Sequence, residues 1–107
     1  MKISVLLPAV LALTATASAS DCYGSKKCQV GGCQLSDVLN AVPARNFGPG
    51  ERIACCSPRN GGNGLCAWAT HRTGLMSWLV ARNYIQGLMN HGCRRCGHHE
   101  SIRVDVP

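Results

Sequence analysis

Residues 90–97 read NHGCRRCG, and this stretch constrains the fold more than any other part of the chain. It places Cys93 and Cys96 directly after a segment with helical periodicity. Six further cysteines lie between residues 22 and 66, which gives eight in a chain of 107 residues. An even number of cysteines in so short a chain predicts a disulfide-bonded domain rather than one stabilised by a large hydrophobic core.

The first twenty residues have the pattern of a secretion signal. Lys2 precedes an apolar run over residues 3–14, and residues 17–19 form a small-x-small cleavage site. This run is too short to cross a bilayer, which takes about 20 residues. We therefore expect a signal peptide over residues 1–20, a mature domain over residues 21–107 with no transmembrane segment, and a secreted, extracellular protein whose thiols oxidise.

The predicted mature domain is small and basic. Without its first 20 residues the 107-residue chain keeps 87, with ten Lys and Arg against five Asp and Glu, so its net charge is +5. Such a charge attracts acidic channel mouths, membranes, wall polymers or nucleic acid, although it can also serve only solubility. A domain of this size buries about 60–65% of its unfolded surface, so one modest core with covalent staples is expected.

Two helices are predicted from apolar periodicity. The first covers residues 34–42 before Pro43, and its apolar face consists of Leu35, Val38, Leu39 and Val42. The second covers residues 74–91, with Thr73 as its N-cap and Gly92 at its C-terminal end. Its apolar stripe consists of Leu75, Trp78, Leu79, Tyr84 or Ile85, Leu88 and Met89. We assign this stripe to the core rather than to a ligand site.

Three strands complete the predicted fold. Residues 52–56 and 65–70 form a hairpin around the Gly- and Asn-rich loop 57–64, and residues 102–106 alternate as a half-buried strand does. Short strands around two helices, without βαβ repetition, indicate an α+β fold. We therefore expect a small disulfide-stapled α/β sandwich in which one face of an antiparallel sheet is covered.

The cysteine positions restrict the disulfide pairing without determining it. Cys55 and Cys56 are adjacent, so a bond between them would be strained, and on a strand their side chains point to opposite faces. A bond between Cys93 and Cys96 would be strained as well. Bonds from this pair to the cysteines that precede both helices would clamp the ends of the domain together, each closing a loop of roughly 70 residues. Spacing alone does not choose among the 105 pairings of eight cysteines.

The spacing of Cys93 and Cys96 also admits two other interpretations. With His91, His98 and His99 nearby, the pair resembles half of a zinc site, but zinc thiolates are uncommon in oxidising environments and no second ligand pair has matching spacing. A thioredoxin-like redox motif needs its first cysteine at a helix N-terminus, whereas this motif follows a helix C-terminus. We expect no metal and no cofactor.

No catalytic constellation is recognisable. The chain has no serine or aspartate motif next to any of its four histidines, which are His71, His91, His98 and His99. Its five carboxylates after residue 20 are scattered and offer no acid/base pair. Residues 61–64 are too few for a phosphate-binding loop. We expect a protein that is not an enzyme and that has no nucleic-acid partner.

Four segments of the chain resemble one known family. Residues 21–28 (DCYGSKKC), 48–52 (GPGER), 65–68 (LCAW) and 90–97 occur in this order, and together they are similar to the fungal killer toxin KP-four family. Residues 102–106 also resemble that family's last strand. The similarity covers essentially the whole mature chain, and the Asn-His-Gly-Cys-x-x-Cys-Gly string after a helix is its most specific part.

The resemblance implies a fold and a disulfide pairing. The family fold is an antiparallel sheet with two antiparallel helices packed on one face. Carried over by matched position, the family's bridges imply Cys22–Cys93 and Cys28–Cys96. The other four cysteines then pair among themselves. Without a vicinal bond, the two possibilities are Cys33–Cys55 with Cys56–Cys66, or Cys33–Cys56 with Cys55–Cys66, and both stay open at this point.

The resemblance also implies an activity. The family's founding toxin is encoded by a virus of a smut fungus and blocks calcium channels of competing fungi, and cellular homologues are associated with antagonism or plant colonisation. We expect a secreted killer-toxin-like protein that blocks a cation (calcium) channel in the membrane of a target cell. The alternative is a cationic secreted effector that binds an anionic cell-wall or membrane component of a host or competitor. We expect a monomer in both cases.

The candidate contact residues are cations. In the toxin, a lysine on the strand after Pro-Gly-Glu-Arg is associated with activity; this chain has Ile53 and Ala54 there, so Arg52 is the nearest cation and our first candidate. Four further cations lie beside cysteines that the implied bridges bring together: Lys26, Lys27, Arg94 and Arg95. We expect these four to form one basic patch that steers the protein to an acidic target. The loop after Gly97 is shorter than the toxin's.

Overall fold

A four-stranded antiparallel sheet lies at the centre of the domain. The computed structural model of the protein describes residues 20–29, 32–58 and 62–107, so residues 1–19 of the predicted signal peptide lie outside the described residues. The strands are β1 (Arg52–Cys56), β2 (Leu65–Ala69), β3 (Gly97–His99) and β4 (Ile102–Asp105). Their spatial order is β1, β2, β4, β3, and every neighbouring pair is antiparallel.

Two helices cover the inner face of this sheet. They are α1 (Leu35–Asn40) and α2 (Trp78–Asn90), and a short 3-10 turn (Lys26–Gln29) precedes them. α1 packs against β1 and β2, α2 packs against β3 and β4, and the helices touch each other. Alternate residues of β2 and β4 are buried beneath them: Leu65, Ala67, Ala69, Ile102 and Val104. The predicted α+β sandwich is confirmed.

The core is small and mainly aliphatic, with Phe47, Met76 and four disulfide-bonded cysteines among its buried residues. Phe47 is the largest fully buried side chain, and Val38, Ile85 and Leu88 from the two helices are also fully buried. Among the described residues no polar or charged residue is buried. No helix in the described ranges is long and apolar enough to span a membrane. The domain therefore depends on aliphatic packing and on its covalent cross-links.

The first helix is shorter than predicted. α1 begins after Gln34, whose backbone N–H donates to the Asp37 carboxylate at 2.8 Å, and it buries Leu35 and Val38. It ends at Asn40 rather than at residue 42. Pro43 disfavours helical geometry in the residue before it, so the last predicted turn does not form.

The second helix begins four residues later than predicted. Gly74 has a φ of +77°, which is incompatible with a helix start, and Met76 pairs with Phe47 through two backbone hydrogen bonds of 2.8 Å. The chain is therefore extended up to Ser77, whose hydroxyl accepts a hydrogen bond from the Val80 N–H at 3.2 Å. Ser77 is the N-cap, and the prediction of Thr73 was wrong.

The late start of α2 changes which side chains are buried. The predicted stripe included Leu75 and Leu79, but Leu75 precedes the helix and is 71% exposed, and Leu79 is 57% exposed. The buried residues of α2 are Ala81, Ile85 and Leu88. Their steps of four and three residues keep helical periodicity on a face rotated from the predicted one.

The C-terminal end of α2 was predicted correctly, whereas the strand that follows was missed. Gly92 has a φ of +102°, and the Cys93 N–H donates to the carbonyl of Leu88 at 3.1 Å, as expected where a left-handed residue ends a helix. β3 has only three residues, Gly-His-His, without apolar alternation. A tight turn at Glu100, which has a φ of +54°, folds β4 back onto it.

Candidate functional site

Two disulfide bonds fasten the N-terminal segment to the segment after α2. They join Cys22 to Cys93 and Cys28 to Cys96, with Cα–Cα distances of 5.3 and 5.9 Å. These are the two pairs that the family resemblance implies. Asp21 also pairs with His98 through two backbone hydrogen bonds of 3.0 and 2.9 Å, so the N-terminal segment extends the sheet beyond β3.

The other two bonds hold β1 from both faces. Cys55 lies directly opposite Cys66 in the β1–β2 register and is bonded to it. Cys56 lies opposite Leu65 on the inner face and is bonded to Cys33, which precedes α1. The structure thus has the second of the two arrangements that the sequence left open, because the β1–β2 register places Cys55, rather than Cys56, opposite Cys66.

Asp105 links the N-terminal segment to the last strand. Its Oδ1 accepts hydrogen bonds from the backbone N–H groups of Ser25 at 3.0 Å and Val106 at 2.7 Å. Burial alone would raise the pKa of this carboxyl, but the hydrogen bonds from Ser25 and Val106 and the nearby charge of Arg103 outweigh it and lower the pKa. Asp105 is therefore ionised in the folded protein, and its charge stabilises the fold.

We expect the substitution Asp105→Asn to reduce the acid sensitivity of the fold. Because the folded pKa lies below the unfolded value of about 3.9, the contribution of Asp105 is complete above that value and is lost as the pH falls through the folded pKa. Urea unfolding at about pH 7 and about pH 2 should show a smaller pH-dependent loss in the variant, by about 1 kcal/mol. An unchanged pH dependence would contradict this role. The pKa of Glu51 is also lowered, but Glu51 is present in both proteins, so its effect on the pH dependence cancels in the comparison.

The only side-chain group with metal-ligand geometry among the described residues consists of Cys28, Cys96 and Asp105. Its ligand atoms lie within 4.8 Å of one another. The two sulfur atoms are bonded to each other, so neither is a thiolate in this oxidised state. Cys93, the other cysteine of the possible zinc motif, is likewise bonded to Cys22. The disulfide framework therefore uses the atoms that a zinc site would need.

The four cations expected to cluster have unequal surroundings. Lys26 and Lys27 are exposed on the 3-10 turn, and Arg94 is exposed beyond α2. Arg95 is half-buried: its Nε donates to the carbonyl of Cys28 and its Nη1 to that of Cys33, both at 2.7 Å. The structure thus brings Arg95 beside the turn that carries the two lysines, but its guanidinium serves as an internal tie.

Arg52, the first candidate, is exposed at the start of β1. This strand forms the edge of the sheet opposite β3. Within the described ranges the ion pairs are Arg45–Glu51 at 2.5 Å and Arg103–Asp105 at 3.4 Å, and Arg52 takes part in neither. The carboxylate of the neighbouring Glu51 is paired with Arg45 and not with Arg52. Arg52 is therefore exposed and, within the part of the chain that the structure describes, makes no ion pair, and it lies on a strand that two disulfide bonds hold.

The register of the sheet adds three residues that sequence reasoning missed. Arg52 lies opposite Trp68, Trp68 opposite Arg103, and Arg103 opposite His98. Directly opposed residues of paired strands share a face, and this face is the one away from the helices. We call these four residues, one from each strand, the sheet row: Arg52, Trp68, Arg103 and His98. The alternation of residues 102–106 indicated that Arg103 points outward, but its neighbours depend on strand order.

A separate open cleft of about 310 Å³ lies at the start of α2. Its lining includes His71, Leu75, Met76, Val80 and Tyr84. None of the predicted contact cations lines it. The cleft mixes polar and apolar side chains and its lining contains no acidic residue, so it has no acid/base pair. The basic surface of the sheet is therefore the better candidate for a functional site.

The fold and this surface define a class: a small, basic α+β domain closed by four disulfide bonds. The chain belongs to the Kp4 family, whose family model matches residues 5–103, and it is therefore a killer-toxin-like protein. It is similar to the KP4 killer toxin of Ustilago maydis P4 virus, with 33% identity over 82 residues. That alignment covers 72% of this chain and 62% of the toxin, so the chain spans less than two thirds of that relative's length.

Proposed function

We propose that this protein is a secreted toxin that inhibits competing cells by blocking a cation channel, with calcium channels as the first target to test. Membership of the Kp4 family and similarity to a killer toxin support the toxin class. Four disulfide bonds suit an oxidising, extracellular environment. The observation that carries the proposal is Arg52, which is exposed and has no ion-pair partner among the described residues, on a strand bonded through both Cys55 and Cys56.

A channel blocker needs a defined cation in a fixed position, because it must outcompete permeating ions at one acidic site. β1 meets this need. Cys55 bonds to the next strand and Cys56 to the segment before α1, so the backbone near Arg52 has little freedom to move. The sheet register is irregular between Arg52 and Ala54. Such a bulge bends the strand and changes the direction of the side chains at its start, including that of Arg52.

The proposal includes no enzymatic step, no cofactor and no nucleic-acid partner. The active form that we propose is a monomer. The two carboxyl groups with shifted pKa values, Glu51 and Asp105, both have lowered values. A general acid working near neutral pH needs the opposite shift. Hydrogen bonds to these carboxylates serve to hold loops together, which supports a binding protein rather than a catalyst.

The test is growth and calcium uptake of sensitive fungal cells exposed to purified protein. We expect wild-type protein to reduce both, and Arg52→Ala to lose most of the effect, since one defined cation is removed from the contact. The control is Arg82→Ala, which removes one positive charge from α2 on the helical side of the sheet, where the Arg82 Nη1 donates one long hydrogen bond of 3.4 Å to the carbonyl of Leu39. It should retain activity if the position of the charge matters more than the sum.

The alternative, a cationic effector that binds an anionic wall or membrane component, predicts a different pattern. Under it, neutralising Lys26, Lys27 and Arg94 together would weaken adsorption to cells more than Arg52→Ala does, and calcium uptake would not change. Arg95 is left intact in that variant because its guanidinium holds two backbone carbonyls. Folded wild-type protein that leaves growth and calcium uptake unchanged would rule out the toxin proposal for those cells.

A further inference from the structure

The sheet row contains a second exposed arginine that its neighbours hold in position. The guanidinium carbon of Arg103 lies 4.6 Å from the centroid of the Trp68 ring, and its Nη1 lies 3.4 Å from Oδ2 of Asp105. The side chain still exposes 48% of its surface. A guanidinium has five N–H donors, so one long contact with a carboxylate leaves most of them free. Arg103 is therefore an oriented cation that can take a ligand at little entropic cost.

Arg52 and Arg103 flank Trp68 from its two neighbouring strands. Adjacent strands lie about 4.8 Å apart, so the two arginine backbones are separated by roughly 10 Å. Arginine binds carboxylates through planar, paired hydrogen bonds. Two such groups at this separation suit a ligand that carries several carboxylates, since a single carboxylate would engage only one of them.

We propose that the sheet row binds neighbouring carboxylates of an acidic protein segment, with Arg52 and Arg103 as the two contacts and Trp68 as the support that orients Arg103. The inference rests on the proposed function, because it specifies the chemistry of the channel segment that Arg52 meets. Arg103 is then a specificity-determining residue that the sequence did not suggest. Asp21 pairs with His98 and adds a carboxyl group beyond β3, so the attractive part of the row is its β1–β2–β4 side.

The state of Trp68 favours a peptide over other polyanions. Polysaccharides and nucleic acids gain much of their affinity from stacking sugars or bases on open aromatic faces. Here the guanidinium of Arg103 already covers one face of the Trp68 ring. What the row offers is therefore charge and hydrogen-bond donors, which match the side chains of aspartate and glutamate.

The test measures binding of a ten-residue oligo-aspartate peptide in a Trp78→Phe background, so that Trp68 is the only tryptophan and reports on the row. We expect Arg103→Gln and Arg52→Gln each to weaken binding by about tenfold, as loss of one charge-assisted contact does. The control Arg82→Gln removes the same charge and should change the dissociation constant by less than about twofold. Arg103→Lys should give an intermediate loss, because an ammonium lacks the planar stacking on Trp68.

Equal weakening by all three Gln variants would overturn the inference in favour of diffuse attraction. Tighter binding of an oligogalacturonate of equal length and charge would overturn the choice of a peptide. The same proteins in the growth and calcium-uptake assays separate this inference from the function on which it rests. One outcome is that wild-type protein and Arg103→Gln both inhibit cells, whereas Arg52→Gln does not. The paired contact is then wrong, and the proposed function stands. If wild-type protein binds the peptide through both arginines but leaves cells unaffected, the proposed function fails and the site remains.

Discussion

Removal of either long-range disulfide bond should destabilise the protein by about 4 kcal/mol. Cys22–Cys93 and Cys28–Cys96 close loops with sequence separations of 71 and 68 residues. In the chain-entropy model, opening loops of this length restores about 4.4 kcal/mol of conformational freedom to the unfolded chain. A small domain has a total stability of roughly 5–15 kcal/mol, so a variant without one of these bonds should be close to unfolding at 37 °C.

The two shorter bonds provide the matched comparison. Cys33–Cys56 and Cys55–Cys66 have separations of 23 and 11 residues, for which the same model gives about 3.4 and about 2.8 kcal/mol. Paired alanine variants of each bridge, unfolded in urea under non-reducing conditions, should follow the order of loop length. When the variants are produced in a secreting host, their yield in the culture medium should follow it too, because unstable chains are retained in the secretory pathway. A loss of the shortest bridge that costs as much as the loss of the longest would contradict the entropic account.

The disulfide framework shows how far the sequence predicts the pairing of the cysteines. Alternation along β1 places Cys55 and Cys56 on opposite faces, and this was predictable because strand geometry has a period of two. Which of them meets Cys66 depends on register, and register is set by pairing across the β1–β2 hairpin. A shift of one residue would exchange their partners. Local pattern therefore limited the pairing, and only tertiary structure chose it.

The same distinction explains the errors in α2 and the missed sheet row. Periodicity continued through Leu75, so the helix was predicted to start too early; the backbone pairing of Met76 with Phe47, 29 positions earlier in the chain, holds this segment extended instead. The sheet row joins residues from four strands, and β3 has no strand-like composition. No local signal links Arg52 to Arg103, because their proximity comes from strand order.

The substitution Arg95→Ala should cost about 3 kcal/mol of stability, although its neighbour Arg94 looks equivalent in the sequence. The guanidinium of Arg95 donates to the carbonyls of Cys28 and Cys33 at 2.7 Å, and these carbonyls flank the segment between the 3-10 turn and α1. A hydrogen bond from a charged group contributes about 1.5–3 kcal/mol, and alanine would leave both acceptors without this donor. Part of the loss is recovered by water, because the site is only half-buried.

Arg94→Ala is the control that makes the test decisive. It removes the same charge one residue away, from a side chain that is exposed and for which the described residues provide no side-chain hydrogen bond or ion pair. Its effect on the free energy of unfolding should stay within about 0.5 kcal/mol. Arg95→Lys should retain the charge and still lose about 1–2 kcal/mol, since one ammonium does not reproduce the fork that reaches both carbonyls. Equal losses for Arg94→Ala and Arg95→Ala would mean that only their charge matters to stability. The two arginines would then be equivalent members of the basic patch that the sequence predicted.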